Sequence, residues 1–330
     1  MITTISAKEL REHIHFEDLV EPVSTAFQEF SSGLATSEFI KMYPVDPPEN
    51  GDVYVKTGTI KGHSIYIVKI SPWFAANIEQ NEPQGGFIAV FDSQTGHTIA
   101  LLSDEHYLSD IRTAAAGVLA ARTLSRQSVQ VAGVLGTGVQ AYWQSLALAE
   151  ARSFETLLLW GRNSQKALQL KERLQQRMNN IEIRIVDTAE EAVRSSDVLV
   201  TATQAREPIV NGEWLHPGQH ITAVGADDHT KCELDAECLQ RANRLIVDSI
   251  VSAQENGETY RWLQNGDITM DSIHGEIGAV LAGSIPGRQS DDEITIAKFV
   301  GLGVQDLAAA EVAIGKMKLT NRPDLTGFNY

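Results

Sequence analysis

Apolar residues near the start of the chain recur at roughly helical spacing: Leu10, Ile14, Phe16 and Leu19, then Val23, Phe27 and Phe30. That period predicts helix, broken by Pro44, Pro47, Pro48 and the Asn50-Gly51 pair, a hairpin signal. Four short alternating runs follow, DVYVKTGTI, HSIYIVKIS, GFIAVFD and HTIALLS, with a tight turn from Asp92 to Gly96. Strands in succession with no helix between them predict a largely antiparallel sheet. Residues 110–126 are Ala-rich and read as helix.

From Val129 the pattern changes to β-α-β alternation. Continuous apolar runs, VQVAGVL, TLLLWG, EIRIV, DVLVTAT, HITAVGA and RLIVDS, are mostly separated by helical stretches such as QAYWQSLALAEA and SQKALQLKERLQQRM. Such runs predict a parallel sheet buried on both faces. The last pattern, DEITIAKFVGLGVQDLAAAEVAIGKMK, reads as a strand and then a helix that returns to the first domain. The expected fold class is α/β: a Rossmann-type doubly wound parallel-sheet domain over 123–304, plus a smaller α+β domain from 1–122 with 305–330.

Composition sets the bounds on chemistry. Apolar residues make up 43% and charged residues 21%, as in an ordinary soluble globular protein. With 27 Lys+Arg against 43 Asp+Glu, the net charge of -16 argues against nucleic acid and membrane surfaces as partners. An anionic ligand would therefore need basic residues concentrated at one place. Cys232 and Cys238 fit neither CxxC nor a disulfide framework, which suits a reducing compartment. The opening MITTISAKELREHI lacks an apolar core, and no run approaches the ~18–20 apolar residues of a membrane span. A cytoplasmic location is the expectation. The nine histidines are scattered, and neither HExxH nor GxSxG occurs, so no metal site is expected.

Gly136-Thr137-Gly138-Val139-Gln140-Ala141 matches the GxGxxA form of the dinucleotide fingerprint. Gly136 would make the tight turn, Gly138 would let backbone approach a pyrophosphate, and Ala141 would let helix pack on strand. Glycine turns match so short a motif by chance, but this one follows an apolar strand and opens a helix within a βαβ unit. The next strand ends Trp160-Gly161-Arg162-Asn163-Ser164, without the carboxylate that would take a ribose 2′-hydroxyl. Arg162 suits a 2′-phosphate, with Asn163 and Ser164 as neutral donors, although Ser164 also suits a helix cap. NADP(H) is favoured, with NAD(H) as the alternative.

Lys41, Lys56, Lys69 and Arg112 are the basic residues available to a substrate carboxylate, Arg112 through a bidentate fork. Lys69 could equally exchange a proton. Alternation in YIVKIS leaves the face of Lys69 open, and taken singly each cation reads as a snorkelled surface charge.

The combination of YIVKIS, LSDIRTAAAGVLAA, GTGVQA, VGADDHTKCEL, GEIGAVLAGSIPGR and KFVGLGVQDLAAA, in that order, resembles the ornithine cyclodeaminase/mu-crystallin family over about residues 40 to 310. The resemblance implies a Rossmann domain with a separate substrate and dimerisation domain, a homodimer, and a small imino or amino acid as substrate. It puts Lys69 on the active-site lysine, Asp227 on the acidic catalytic residue and Arg112 on a substrate-carboxylate and cofactor arginine. Lys231 falls on a cofactor contact and Val300 on a substrate contact, and Lys41 stands where the family carries a second carboxylate-binding arginine. Thr113, Gly136, Thr137, Gly138, Val139, Gln140, Gly161, Arg162, Asn163, Ser164, Thr201, Thr203 and Val224 complete the implied cofactor set. The chain departs from the family at Lys56, where the cyclodeaminase has glutamate, and at Gly161, where it has an NAD-selecting aspartate. Phe87 and Phe299 replace small hydroxyl residues near the cofactor.

The expected activity is NADPH-dependent reduction of a cyclic imine carboxylate, with Lys69 or Asp227 giving the imine nitrogen its proton. Ornithine cyclodeamination and a related amino-acid dehydrogenation are the alternatives, and a non-catalytic NADPH-binding, crystallin-like protein is a third. Lys56 and Gly161-Arg162 disfavour cyclodeamination, which needs a negative group for the distal ammonium and a site for oxidised NAD. His229, beside Asp227 and Asp228, reads as polar lining rather than a base.

Overall fold

The computed structural model describes residues 2–44, 51–80 and 82–317. The chain divides into two compact units, residues 1–112 with 302–330 and residues 113–301. The limits expected from sequence, after 122 and 304, fall inside the helices Tyr107–Leu124 and Gly303–Lys316. Helix Tyr107–Leu124 continues unbroken past residue 112, so its period carried no mark of the first change of unit. Pro47, Pro48 and Asn50 lie outside the described residues.

In the first unit the four alternating runs form the strands Gly51–Ile60, Ile65–Phe74, Phe87–Asp92 and Thr98–Ser103, consecutive and antiparallel. Thr3–Ser6 adds to Thr98–Ser103 in parallel, while Ala35–Thr36 and Phe39–Met42 pair with Gly51–Ile60. The apolar period between Leu10 and Phe30 is not one helix. It forms Ala7–His13, a 3-10 turn at Phe16–Leu19, and Val20–Ser31. The break comes at His15, whose extended backbone donates its N–H to the Asp18 carboxylate at 2.8 Å. Helix Gly303–Lys316 packs on Val20–Ser31 and on the strands Gly51–Ile60 and Ile65–Phe74, with nearly all of its first eight residues fully buried.

The second unit is an eight-stranded parallel sheet in the order Glu182–Ile185, Thr156–Trp160, Val131–Leu135, Val198–Thr201, His220–Ala223, Thr295–Lys298, Arg244–Val247 and Gly275–Glu276. The first five positions give the 3-2-1-4-5 order of a Rossmann sheet, whose switch point lies between Val131–Leu135 and Val198–Thr201. The late strand Thr295–Lys298 inserts beside His220–Ala223, and the two-residue strand Gly275–Glu276 was too short to show a sequence period. Asn163 caps helix Ser164–Gln175 by accepting the Lys166 N–H at 3.0 Å, so Ser164 is the first helical residue and not the cap. Among the described residues no helix is long and apolar enough to cross a membrane.

A pair of glycines seats helix Gly303–Lys316. A Cβ on Gly58 would collide with the Gly303 carbonyl, and one on Gly303 with the Thr57 carbonyl. The Gly303 N–H donates to the Ser37 hydroxyl at 2.7 Å. Overpacking at such a contact is expected to lower stability by about 1–3 kcal/mol in Gly58→Ala, measured by denaturant unfolding. Gly315→Ala, where a Cβ meets nothing within 4 Å, should be neutral or gain roughly 0.5–1 kcal/mol. Equal losses in the two variants would remove the glycine contact as the feature that seats the helix.

Candidate active site

Strand Ile65–Phe74 buries Ile65, Ile67 and Lys69 in turn, so Lys69 lies on the apolar face and is only 3% exposed. Lys56 stands directly opposite it on Gly51–Ile60, which directs both lysines to one face of the sheet. Helix Tyr107–Leu124 adds Arg112, 6% exposed. Like charges so close oppose each other, and Asp306 on helix Gly303–Lys316 reconciles them. Its Oδ1 accepts from Lys69 Nζ at 3.0 Å and from Arg112 Nε at 3.1 Å. Arg112 Nη1 donates to Gln305 Oε1 at 3.0 Å, and Lys69 also donates to the Ser109 hydroxyl. Burial alone would push the Asp306 carboxyl up, but Arg112, Lys69 and Lys56 overcome it and hold the group at about 2.

Around this knot the chain carries further polar groups. Asp104 is buried, which raises its pKa against the charge of Lys69, and it accepts the Leu108 N–H at 3.1 Å. Burial and the nearby Lys69 lower His106 to about 4, so the ring is neutral at neutral pH. Its Nε2 lies 3.1 Å from the Ser71 hydroxyl. Glu105 and His106 have φ of 48° and 66°, left-handed conformations that non-glycine residues rarely adopt and that tend to collect at functional sites. Lys41 pairs with Asp52 at 3.1 Å and lies over the Tyr54 ring, where Lys56 also lies.

In the second unit Gly136 sits at φ 131°, and a Cβ there would collide with the Ala202 carbonyl. Gly138 differs. A Cβ on it would meet nothing within 4 Å, and it begins helix Val139–Ala151 with no side-chain cap on the amides. Protein packing does not demand glycine at that position, whereas a pyrophosphate lying on the helix N-terminus does. These residues fit a dinucleotide. Gly161 is held small by Thr137, with which its Cβ would collide, and Arg162 beyond it is exposed.

Asp227 is paired with Lys231 at 2.5 Å, and Asp228 lies 3.8 Å from the same ammonium. The loop bearing them is held from behind. Glu233 accepts from the Thr201 and Thr203 hydroxyls at 2.8 and 2.7 Å and from the Gly225 N–H at 2.9 Å. Both threonine hydroxyls therefore face this buried carboxylate. Val224 donates its N–H to the Thr201 carbonyl at 3.0 Å. Lys298, fully buried, pairs with Glu258 at 3.1 Å and donates to the Ala226 carbonyl at 2.6 Å. The Val300 N–H donates to Asp248 at 2.9 Å, and His229 is exposed, its ring edge-on to Tyr260.

Of the basic residues singled out from sequence, the structure gathers Lys56, Lys69 and Arg112 around one point and pairs Lys41 with Asp52. Rather than a bidentate fork held ready, Arg112 has its Nε on Asp306 and its Nη1 on Gln305. Sequence reasoning missed Asp306, Gln305, Ser109, Asp104 and His106. A signal for Asp306 was present: a charged residue inside GVQDLAAA, where the helical run offers it no polar face.

The low pKa of Asp306 has a stability consequence of definite sign. A carboxyl held below its unfolded value of 3.8 stabilises the fold above that value, and the contribution disappears as pH falls toward 2. The stability gap between the native protein and Asp306→Asn should therefore shrink by about 1 kcal/mol between pH 6 and pH 3 in denaturant titrations. A gap independent of pH would contradict the ion pairing.

The sequence pattern of the ornithine cyclodeaminase/mu-crystallin family matches residues 2–320. An uncharacterised cyclodeaminase of Sinorhizobium fredii is 39% identical over 311 residues, 92% of each chain. The structure of Thermococcus litoralis Δ1-pyrroline-2-carboxylate reductase in complex with NADH and L-proline superposes with a TM-score of 0.90 at 30% identity, covering 96% of this chain and 98% of its own. An archaeal alanine dehydrogenase dimer with bound NAD gives 0.88 at 30% identity over 96% of each chain. By sequence pattern and by fold, the chain belongs to the ornithine cyclodeaminase/mu-crystallin family.

Proposed function

We propose that this protein reduces the C=N bond of a cyclic imine carboxylate of the Δ1-pyrroline-2-carboxylate or Δ1-piperideine-2-carboxylate type, giving an L-imino acid such as L-proline or L-pipecolate. The observation that carries the reading is the gathering of buried Lys69 and Arg112, with half-buried Lys56 opposite Lys69, in a chain with net charge -16. That concentration suits a small anion. The solved reductase and alanine dehydrogenase, both near 30% identity, act within the same family and support this reading.

In the reaction, Arg112 and Lys56 hold the carboxylate by charge-assisted hydrogen bonds. An imine carbon accepts hydride readily only once its nitrogen is protonated, and the Lys69 ammonium supplies that proton. The nicotinamide cofactor supplies the hydride when bound. Nitrogen gains a proton, carbon gains hydride, and the double bond becomes a CH–NH bond. Asp227, engaged with Lys231, is the second candidate for the proton. Lys56, directly across from Lys69, has the wrong sign for the distal ammonium of a diamino acid, which disfavours cyclodeamination.

NADPH is favoured over NADH because the strand Thr156–Trp160 leads into Gly161, Arg162 and Asn163 with no carboxylate for a ribose 2′-hydroxyl. Exposed Arg162 can pair with a 2′-phosphate, and Asn163, whose oxygen takes the Lys166 N–H, still offers its amide hydrogens. We place it in the cytoplasm as a homodimer: the archaeal alanine dehydrogenase is a dimer, and Cys232 and Cys238 are free thiols, which suits a reducing compartment.

The deciding experiment follows loss of reduced-cofactor absorbance over a panel of cyclic and open-chain imino acids. A cyclic imine carboxylate should be reduced, and faster with NADPH than with NADH. No turnover of any cyclic imine carboxylate would overturn the substrate assignment, and equal rates with the two cofactors would overturn the preference. Lys69→Arg keeps the charge but cannot release a proton near neutral pH, so kcat should fall ~10²–10⁴-fold with little change in KM. A near-native kcat would make Lys69 an anchor alone and transfer the proton to Asp227.

A further inference from the structure

We propose that Asp306 is the positioning residue of this site: it draws Lys69 and Arg112 onto a single oxygen and sets how tightly the cationic cluster grips an incoming carboxylate. The inference rests on the imine-reductase reading given above. Asp306 acts through its two partners and takes no proton in the reaction.

Three observations carry it. The first is convergence. Lys69 Nζ and Arg112 Nε meet at the same oxygen, at 3.0 and 3.1 Å, although they come from a strand and a helix far apart in sequence. Without the carboxylate, Lys56, Lys69 and Arg112 would repel one another, and Lys69 would keep only its hydrogen bond to the Ser109 hydroxyl.

The second is that stability alone does not call for the arrangement. Asp306 is fully buried and its Oδ2 has no hydrogen-bond partner. Replacing buried ion pairs by apolar groups is often neutral or stabilising, so such a carboxylate in the buried first turns of this helix needs another reason. The third is the care with which it is placed. The Gly58–Gly303 contact and the Gln305 oxygen, which accepts from both the Leu302 N–H at 2.7 Å and Arg112, lock the first turn of the helix.

An anion already on the cluster competes with the substrate's carboxylate. This competition moderates ground-state binding, which by itself adds nothing to kcat, and lets a carboxylate product leave.

The test compares the native protein with Asp306→Asn and Asp306→Glu. It combines steady-state reduction of Δ1-pyrroline-2-carboxylate with calorimetric binding of pyrrole-2-carboxylate, a planar acid that has no imine to reduce. For Asp306→Asn, removal of the competing charge should tighten Kd and lower KM by about tenfold or more. Its kcat should fall about 10²-fold, because an amide is too weak to hold both cations in place. Asp306→Glu keeps the charge but displaces it by one methylene, so kcat should fall while Kd stays near native.

A native kcat in either variant would overturn the proposal. So would a Kd that weakens in step with kcat, the signature of a merely structural role. Should Asp306→Asn fail to fold by circular dichroism, Asp306→Glu decides on the same split between kcat and Kd. Should the native protein reduce no imine carboxylate, the functional reading fails, and the calorimetry still decides: tightening in Asp306→Asn upholds the role of Asp306, and weakening refutes it.

Discussion

Three cations, Lys56, Lys69 and Arg112, share one buried face of the first unit, and a single carboxylate makes that possible. At about 4 Å and an effective dielectric near 20, two like charges repel by ~4 kcal/mol, comparable to the whole margin of stability of many domains. Asp306 offsets this by attracting Lys69 and Arg112 at once. Three features of the unit bear on where that carboxylate sits. The two facing glycines bring the helix within reach of the sheet, Gln305 ties its first turn to Arg112, and strand alternation turns Lys69 inward beside Ile65 and Ile67.

The same constraint explains how a chain of net charge -16 can gather cations at one place. Its acidic residues lie mostly on the surface, while the inward-facing cations sit where water is scarce and each interaction is less screened. In the second unit a buried pair plays a comparable part. Lys298, paired with Glu258, holds the Ala226 carbonyl just before Asp227, and Glu233 holds Gly225. In both units fully buried charges fix backbone or side chains next to residues with proposed chemical roles, a use that buried ion pairs serve better than stability.

What could be read from the sequence was local. The parallel sheet was visible because most of its strands lie in apolar runs and several crossover helices have their own period. The fingerprint glycines carried their own geometry, and Gly136 indeed needs its positive φ. Lys69 was singled out, but its face stayed open until the strand Ile65–Phe74 showed it inward with Ile65 and Ile67. Asp306 stood out only as a charge inside GVQDLAAA; its role was not found, because its partners lie 194 and 237 residues away and no sequence period links them. His106 and Glu105 were invisible for a different reason: left-handed backbone at non-glycine residues has no compositional mark. The first unit boundary was displaced for a third, since helix Tyr107–Leu124 runs unbroken past residue 112, where the contacts change.

The claim at the centre is that the cationic knot exists to hold a carboxylate next to a reducible C=N bond. Comparing kcat/KM for Δ1-pyrroline-2-carboxylate with that for Δ1-pyrroline, the same ring without its carboxylate, addresses it most directly. Loss of a buried, charge-assisted anchor should make the unsubstituted ring a poorer substrate by at least about two orders of magnitude. Comparable kcat/KM values for the two rings would show that Lys56, Lys69 and Arg112 serve something other than a substrate carboxylate.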